Sequence, residues 1–281
     1  MTGDDASRDE SASSGDAPSS NGGPADESDA PAPVPETFEA YAETAEAPRF
    51  TDWLRERAEP DWSAATTHRF TRELGRDELD DDAFRRYLVQ DYAFLETLVG
   101  LVGHAVGDAP TMASKARLAD FLGTLTAEEN DYFERSFDAL GVPPETYEDP
   151  ARTPVTLAME DLLERAAREG GYAETLAVLV PAEWMYREWA TAVADASPSR
   201  FYLDEWIRLH AVEEFRTFVG WLREELDREG AAASPRRRRR LDRLFRRTAS
   251  LEVAFFDAAY DAGDARPTGE TDDSSEGERR W

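Results

Sequence analysis

The sequence has no cysteine and, among its 281 residues, a single lysine, Lys115. Disulfides, thiolate metal ligands and cysteine nucleophiles are therefore excluded. No apolar run approaches the roughly 18 residues that a membrane span needs, and the opening MTGDDASRDE is too acidic for a signal peptide. We therefore expect a cytoplasmic protein that has no membrane partner.

Basic residues are scarce beside acidic ones, with 32 lysines and arginines against 60 aspartates and glutamates and a net charge of -28. This balance predicts that nucleic acid is not a partner. Molar salt screens charges beyond about 3 Å, so the composition is typical of a protein from a halophilic source. An acidic interaction surface is the alternative, although the acidic excess extends along the whole chain instead of forming one block.

Composition divides the chain into a folded part and two acidic tails. Residues 1–47 are rich in Ser, Asp, Gly, Pro and Ala and carry 12 acidic residues against one arginine, and residues 263–281 have the same character. Neither segment has enough apolar side chains to offset the entropy lost on ordering, so both are predicted to be disordered. Residues 48–262 are predicted to form one domain.

Within that domain apolar residues recur at every third or fourth position, which predicts an all-α fold. Asp80 is the expected N-cap of one helix, and Thr126 with Glu129 has the spacing of a capping box before a helix that ends near Gly141. Such helices, joined by short loops, pack as an antiparallel bundle with room for a pocket. The other predicted helices are one from Met112, Pro154 to Glu169, Tyr172 to Ala196, Ser199 to Glu229, and Pro235 to Ala262 with Ser234 as N-cap.

Five stretches of these predicted helices carry specific patterns. They are HRFTRELGRDELDDDAFRRYLVQDYAFL (68–95), EENDYFERSFDALGV (128–142), TPVTLAMEDLL (153–163), LVPAEWMYREWA (179–190) and SLEVAFFDAAY (250–260). In this order and spacing they resemble the TenA family, also called thiaminase II or aminopyrimidine aminohydrolase. The resemblance implies a haem-oxygenase-like helical bundle without cofactor or metal, which tends to form homotetramers.

The resemblance also implies a pocket for the 4-amino-2-methylpyrimidine half of thiamin or of its breakdown products. Asp91 falls on the family's aspartate that pairs with the ring's amino group and an adjacent nitrogen. Glu252 falls on the glutamate near the bond that breaks, and Phe255 on an aromatic that stacks on the ring. Ion pairs within the fold are the structural alternatives for Asp91 and Glu252, because a buried carboxylate needs a partner.

Several positions depart from the family pattern. The family's cysteine nucleophile corresponds to Ala182, so covalent catalysis by that route is impossible. Met159, Phe94 and His210 each stand where the family has a tyrosine, which makes the pocket drier. From the nucleophile's helix, the family pattern is kept at Tyr186 and Glu188.

A subgroup of the family without the cysteine hydrolyses aminomethyl and formylaminomethyl pyrimidines in thiamin salvage, and this is the activity that we expect. Two carboxyl groups suffice in principle, one as general base for water and one as general acid for the leaving nitrogen. Glu252 is the expected base. Glu183, beside Ala182, is the expected partner, with a surface salt bridge as the alternative, and Glu188 points about 140° away from it on the same helix.

Two other functions stay open at this point. The pattern H-x-x-E at His210 and Glu213, with Glu214 next to it, allows a di-iron oxidase, although His68 and His104 are the only other histidines. Loss of the nucleophile equally allows a non-catalytic protein that binds pyrimidines or a partner protein. Turnover separates the binder from the hydrolase, and iron content separates the oxidase.

Overall fold

The computed structural model describes residues 33–261, which contain thirteen α-helices and no strand. The predicted all-α fold is therefore confirmed for this part of the chain. The helices are α1 Phe38–Ala42, α2 Phe50–Arg57, α3 Asp61–Thr66, α4 Arg69–Gly75, α5 Asp81–Asp108, α6 Met112–Thr124, α7 Asn130–Leu140, α8 Pro144–Tyr147, α9 Pro154–Glu169, α10 Tyr172–Ala192, α11 Phe201–Ala211, α12 Glu213–Ala232 and α13 Pro235–Ala258.

Helix α10 lies at the centre of the bundle, where it packs against α5, α9, α11, α12 and α13. Its residues from Tyr172 to Pro181 are all buried, as expected of a helix that is enclosed on every side, and the one charged residue among them, Glu174, forms an ion pair with Arg237. Helix α5 packs on its other faces against α6 and α9. Within residues 33–261, no helix is both long enough and apolar enough to cross a membrane.

Several predicted helix boundaries are confirmed at the level of hydrogen bonds. The Asp80 carboxylate accepts from the backbone N–H groups of Asp82 and Ala83, at 3.0 and 3.2 Å. Ser234 caps α13 by accepting from the N–H of Arg237. Gly141 ends α7 in the left-handed region at φ 67°, where glycine has no steric penalty.

The helices predicted to end at Ala196 and Ala262 end four residues earlier, at Ala192 and Ala258, and two other predictions differ more from the structure. The capping box at Thr126 and Glu129 is wrong, because α6 continues through a π-helical turn, Leu125–Glu129, directly into α7. The Thr126 hydroxyl donates instead to the carbonyl of Leu122. The single helix expected from Ser199 to Glu229 is two helices, since the backbone at Val212 is extended.

The folded part also begins earlier than the predicted residue 48. Helix α1 lies inside the segment predicted as a tail, and its Tyr41 hydroxyl donates to Glu56 on α2 at 2.8 Å. Glu39 forms an ion pair with Arg238 at 2.7 Å. The rest of the predicted N-terminal tail, residues 1–32, and the predicted C-terminal tail, 263–281, lie outside the described residues.

Candidate functional site

Eight helices and the π-helical turn surround a cavity of about 80 Å³ inside the bundle. Its size suits a small ligand, since pockets for drug-sized molecules measure several hundred Å³. The structure brings all nine site residues predicted from the sequence to this one cavity. They are Asp91 and Phe94 from α5, Met159 from α9, Ala182, Glu183 and Tyr186 from α10, His210 from α11, and Glu252 and Phe255 from α13.

Three of these residues are buried carboxyl groups. Asp91 and Glu183 are each 8% exposed, and Glu252 is 2% exposed. The alternatives considered for them were ion pairs, yet no arginine, lysine or histidine pairs with any of the three within residues 33–261. Because an unpaired buried carboxylate is costly, its retention points to a ligand rather than to a structural role.

Burial raises the pKa of each of these carboxyl groups. The pKa of Asp91 rises to about 7, an effect that the nearby Tyr87 hydroxyl opposes. The pKa of Glu252 rises to about 8 through burial and then through the charge of Asp91. Glu183 has a pKa well above its usual value, from burial and the charges of Glu129, Glu252 and Asp91. Asp91 and Glu252 can therefore exchange protons near neutral pH.

Glu129 is a fourth carboxyl group at the cavity, and the sequence interpretation missed it. Burial, followed by the charge of Asp91, raises its pKa to about 8. Like the other three, it has no ion-pair partner in the described part of the chain. The sequence did indicate that Glu129 is near the core. It precedes the buried residues Tyr132 and Phe133 by three and four positions, which places it on the same face of the helix.

Tyr186 and His210 supply the hydroxyl and the imidazole of the cavity wall. The Tyr186 and Tyr87 hydroxyls form a hydrogen bond of 2.7 Å. The His210 Nδ1–H donates to the Trp206 carbonyl at 2.9 Å. Burial lowers the pKa of His210 to about 4, so at neutral pH the ring is uncharged and its Nε2 is an acceptor.

Apolar groups form the rest of the wall. Phe255 lies with its ring centroid 6.5 Å from that of Phe94 and makes an edge contact with Tyr87 at 5.6 Å. Met159 is buried beside them, and Ala182 leaves open space where a larger side chain would extend. Apolar and aromatic surfaces of this kind can contact the face of a flat aromatic ligand.

Glu188, another acidic residue of α10, lies outside the cavity. The Trp62 indole N–H donates to it at 2.8 Å, and Arg55 approaches it at 3.5 Å. The predicted divergence of Glu183 and Glu188 is thus found in the structure. Of these two residues, only Glu183 lies at the cavity, where the acid–base role expected on α10 would be needed.

The geometry gives no support to the di-iron interpretation. Val212 breaks the helix between His210 and Glu213, so the two do not share one helical face, and Glu213 and Glu214 are exposed. His68 contacts Asp257, and His104 is exposed. Among residues 33–261, no three aspartate, glutamate or histidine side chains are grouped closely enough to share a metal ion.

Replacing Glu252 by glutamine is expected to stabilise the unliganded protein at alkaline pH. In the unfolded chain this carboxyl ionises near its ordinary pKa of 4.5, and in the folded protein near 8, so its contribution to stability falls as pH rises between these values. The free energy of unfolding of Glu252→Gln should exceed that of the parent by on the order of a few kcal/mol at pH 8.5 and by much less at pH 5. Denaturant unfolding at constant salt measures this difference, and a difference independent of pH would contradict it.

The part of the chain that forms the bundle is similar to known proteins. The profile of the TENA/THI-4/PQQC family matches residues 55–262. The aminopyrimidine aminohydrolase of Halalkalibacterium halodurans is 32% identical over 219 residues, which cover 75% of this chain and 95% of that protein. The aminopyrimidine aminohydrolase of Helicobacter pylori is 24% identical over 213 residues, covering 75% of this chain and 98% of that protein.

Solved structures show the same arrangement of helices. A TenA homologue from P. horikoshii superposes with a TM-score of 0.68 at 25% identity, covering 76% of this chain and all of that one. A TenA family protein from Silicibacter, described as a transcription regulator, gives the same TM-score and identity and covers 75% of this chain and 96% of that chain.

Proposed function

Because this chain belongs to the TENA/THI-4/PQQC family, we propose that it is a cysteine-independent hydrolase of aminomethyl or formylaminomethyl pyrimidines in thiamin salvage. The observation that carries the proposal is the set of buried carboxyl groups that face one small cavity without a cation to neutralise them. The names of the relatives from H. halodurans and H. pylori support hydrolysis of an aminopyrimidine.

Asp91 is the proposed partner of the pyrimidine. Its carboxyl group, at a pKa of about 7, can accept from the exocyclic amino group and share a proton with the adjacent ring nitrogen. The rings of Phe255 and Phe94 are proposed to stack on the pyrimidine, and Met159 is proposed to contact the edge of the pyrimidine ring. Together they fix the ring so that its side arm extends towards the remaining carboxyl groups.

Glu252 is the proposed general base. It takes a proton from water, and the water oxygen then bonds to the carbon from which nitrogen departs. A protonated carboxyl group, Glu183 or Glu129, gives a proton to the departing nitrogen of the formylaminomethyl substrate, whereas an aminomethyl substrate enters with its nitrogen already protonated. An aminomethyl substrate and water would yield the hydroxymethyl compound and ammonia, and a formylaminomethyl substrate and water would yield the aminomethyl compound and formate. Raised pKa values suit both roles at neutral pH.

A non-catalytic pyrimidine-binding protein is the second candidate. Ala182 in place of a nucleophile, with Met159 and Phe94 in place of hydroxyl-bearing residues, favours it. The unpaired carboxyl group of Glu252 argues against it, since a binding pocket gains nothing from an unpaired carboxyl group that the ligand does not use.

We also infer a salt-adapted, cytoplasmic protein that forms homo-oligomers. The net charge of -28 supports the first. Large apolar side chains that are exposed in the single chain would be covered in an oligomer, and they are Met112, Leu157, Phe201 and Val212.

The test of the proposed function is product analysis in molar salt. Incubation of the protein with the formylaminomethyl and the aminomethyl compound should release formate from the first and ammonia from the second. Release of neither, with binding of both compounds detected by calorimetry, would favour the binding protein.

A further inference from the structure

The polar groups of the cavity are mainly carboxyl groups, which act only as hydrogen-bond acceptors once they are ionised. The carboxyl groups of Asp91, Glu129, Glu183 and Glu252 face it, and no cation of the described chain pairs with them. The Thr124 hydroxyl, also at the wall, donates to a backbone carbonyl of its own helix at 3.5 Å. A ligand that brings hydrogen-bond donors and positive charge would stabilise the ionised form of these carboxyl groups.

His210 gives a second and independent indication of a donating ligand. The side chain is 7% exposed, and its Nδ1–H is already committed to the Trp206 carbonyl. Its Nε2 has no hydrogen-bond partner within residues 33–261, although the ring forms part of the cavity wall. The indole N–H of Trp206 is buried inside the protein and is not exposed to the cavity. It therefore cannot donate the hydrogen bond that the Nε2 of His210 lacks.

The π-helical turn explains why a carboxyl group stands at this end of the cavity. An inserted residue in a helix rotates the following side chains relative to an ordinary α-helix, and such turns are frequent at functional sites. Here the turn ends at Glu129, while its neighbour Glu128 is exposed to solvent. Two adjacent glutamates of one turn are thus divided between the cavity and the surface.

We propose that Glu129, together with Glu183, forms a subsite for a primary ammonium group, and that the cavity therefore prefers the cationic aminomethyl pyrimidine to neutral compounds of the same shape. Primary amines are largely protonated at neutral pH. An ammonium group provides three donors and a positive charge, which is what the acceptor-rich wall lacks. The neutral formylaminomethyl and hydroxymethyl compounds bring neither the charge nor three donors on one nitrogen.

The proposal of this subsite depends on the proposed function only for the identity of the ligand, a pyrimidine. Its test therefore measures the binding of ligands and does not require their hydrolysis. Calorimetry at pH 7.5 compares 4-amino-5-aminomethyl-2-methylpyrimidine with its 5-hydroxymethyl counterpart, two ligands that differ in the ammonium group. We expect the parent to bind the aminomethyl compound at least tenfold more tightly. Glu129→Gln should lose about tenfold in affinity for that compound and change affinity for the hydroxymethyl compound less than threefold.

Glu128→Gln is the matched control, because it removes a carboxyl group from the same turn on the exposed side, and it should behave as the parent. Glu129→Asp, which keeps the charge, should retain part of the preference. Equal affinities of the parent for both ligands, or an equal loss for both in Glu129→Gln, would overturn the subsite while leaving pyrimidine binding intact. Binding of neither ligand would overturn the subsite and the proposed function together.

Proton release gives a readout that a purely structural role would not change. Glu129 has a pKa of about 8, so at pH 7.5 it is largely protonated in the empty cavity and must ionise to pair with an ammonium group. Binding of the aminomethyl compound should therefore release protons, seen as a dependence of the binding enthalpy on the ionisation enthalpy of the buffer. This release should be smaller in Glu129→Gln and in binding of the hydroxymethyl compound, and unchanged release in the variant would contradict the subsite.

Discussion

Glu252→Gln is expected to lower kcat/KM for the aminomethyl and formylaminomethyl pyrimidines by about 100- to 10,000-fold, the range for loss of a general base. The amide keeps the shape of the side chain and cannot take a proton from water. Pyrimidine affinity should change less than threefold, since Glu252 is assigned to the reacting end of the substrate. Steady-state kinetics and calorimetry on the same preparation separate these two effects.

Two controls make this result specific. Glu224→Gln changes an exposed carboxyl group on α12, remote from the cavity, and should leave kcat/KM unchanged. A measured gain in stability of Glu252→Gln at alkaline pH would exclude unfolding as the reason for lost activity. A decrease of less than fivefold in kcat/KM would remove Glu252 from the role of base and leave Glu183 or Glu129 as the group to test next.

Asp91→Asn is expected to weaken binding of both pyrimidines by roughly 10- to 100-fold, because hydrogen bonds to charged groups contribute about 1.5–3 kcal/mol. The amide carries no charge with which to stabilise a protonated ring nitrogen. Measurement by calorimetry at pH 8, above the Asp91 pKa of about 7, gives the largest difference from the parent.

The control for this variant is Glu96→Gln, an exposed carboxyl group farther along α5, which should bind as the parent does. The loss in Asp91→Asn should also shrink as pH falls below 7, since the parent's own carboxyl then becomes neutral. An affinity within twofold of the parent at pH 8 would show that Asp91 does not hold the ring.

Much of the site could be predicted from the sequence because its residues lie on strongly periodic helices. Asp91 interrupts an apolar stripe of α5, and Glu252 one of α13, so each had to be buried or paired. The periodicity fixed which face each occupies, and the resemblance to the TenA family related the helices to each other. The structure then placed these residues at one cavity.

The features of the structure that the sequence did not predict depend on contacts between distant residues, which the local pattern of apolar and polar residues does not contain. Thr126 and Glu129 satisfy the spacing of a capping box, but the helix continues, because the apolar residues on both sides of the π-helical turn are buried in the same bundle. The break at Val212 involves neither proline nor glycine. Helix α1 has no buried residue of its own, and its position depends on contacts with α2 and Arg238 that are distant in the sequence.

Ammonia release from the aminomethyl pyrimidine in molar salt, by the parent and by Glu252→Gln, tests most directly the claim that buried carboxyl groups hydrolyse the substrate without a cysteine. The account predicts sustained release by the parent and a loss of at least 100-fold in the variant, with binding affinity retained in both. Binding without release by the parent would contradict it and identify the cavity as a pyrimidine-binding pocket without chemistry.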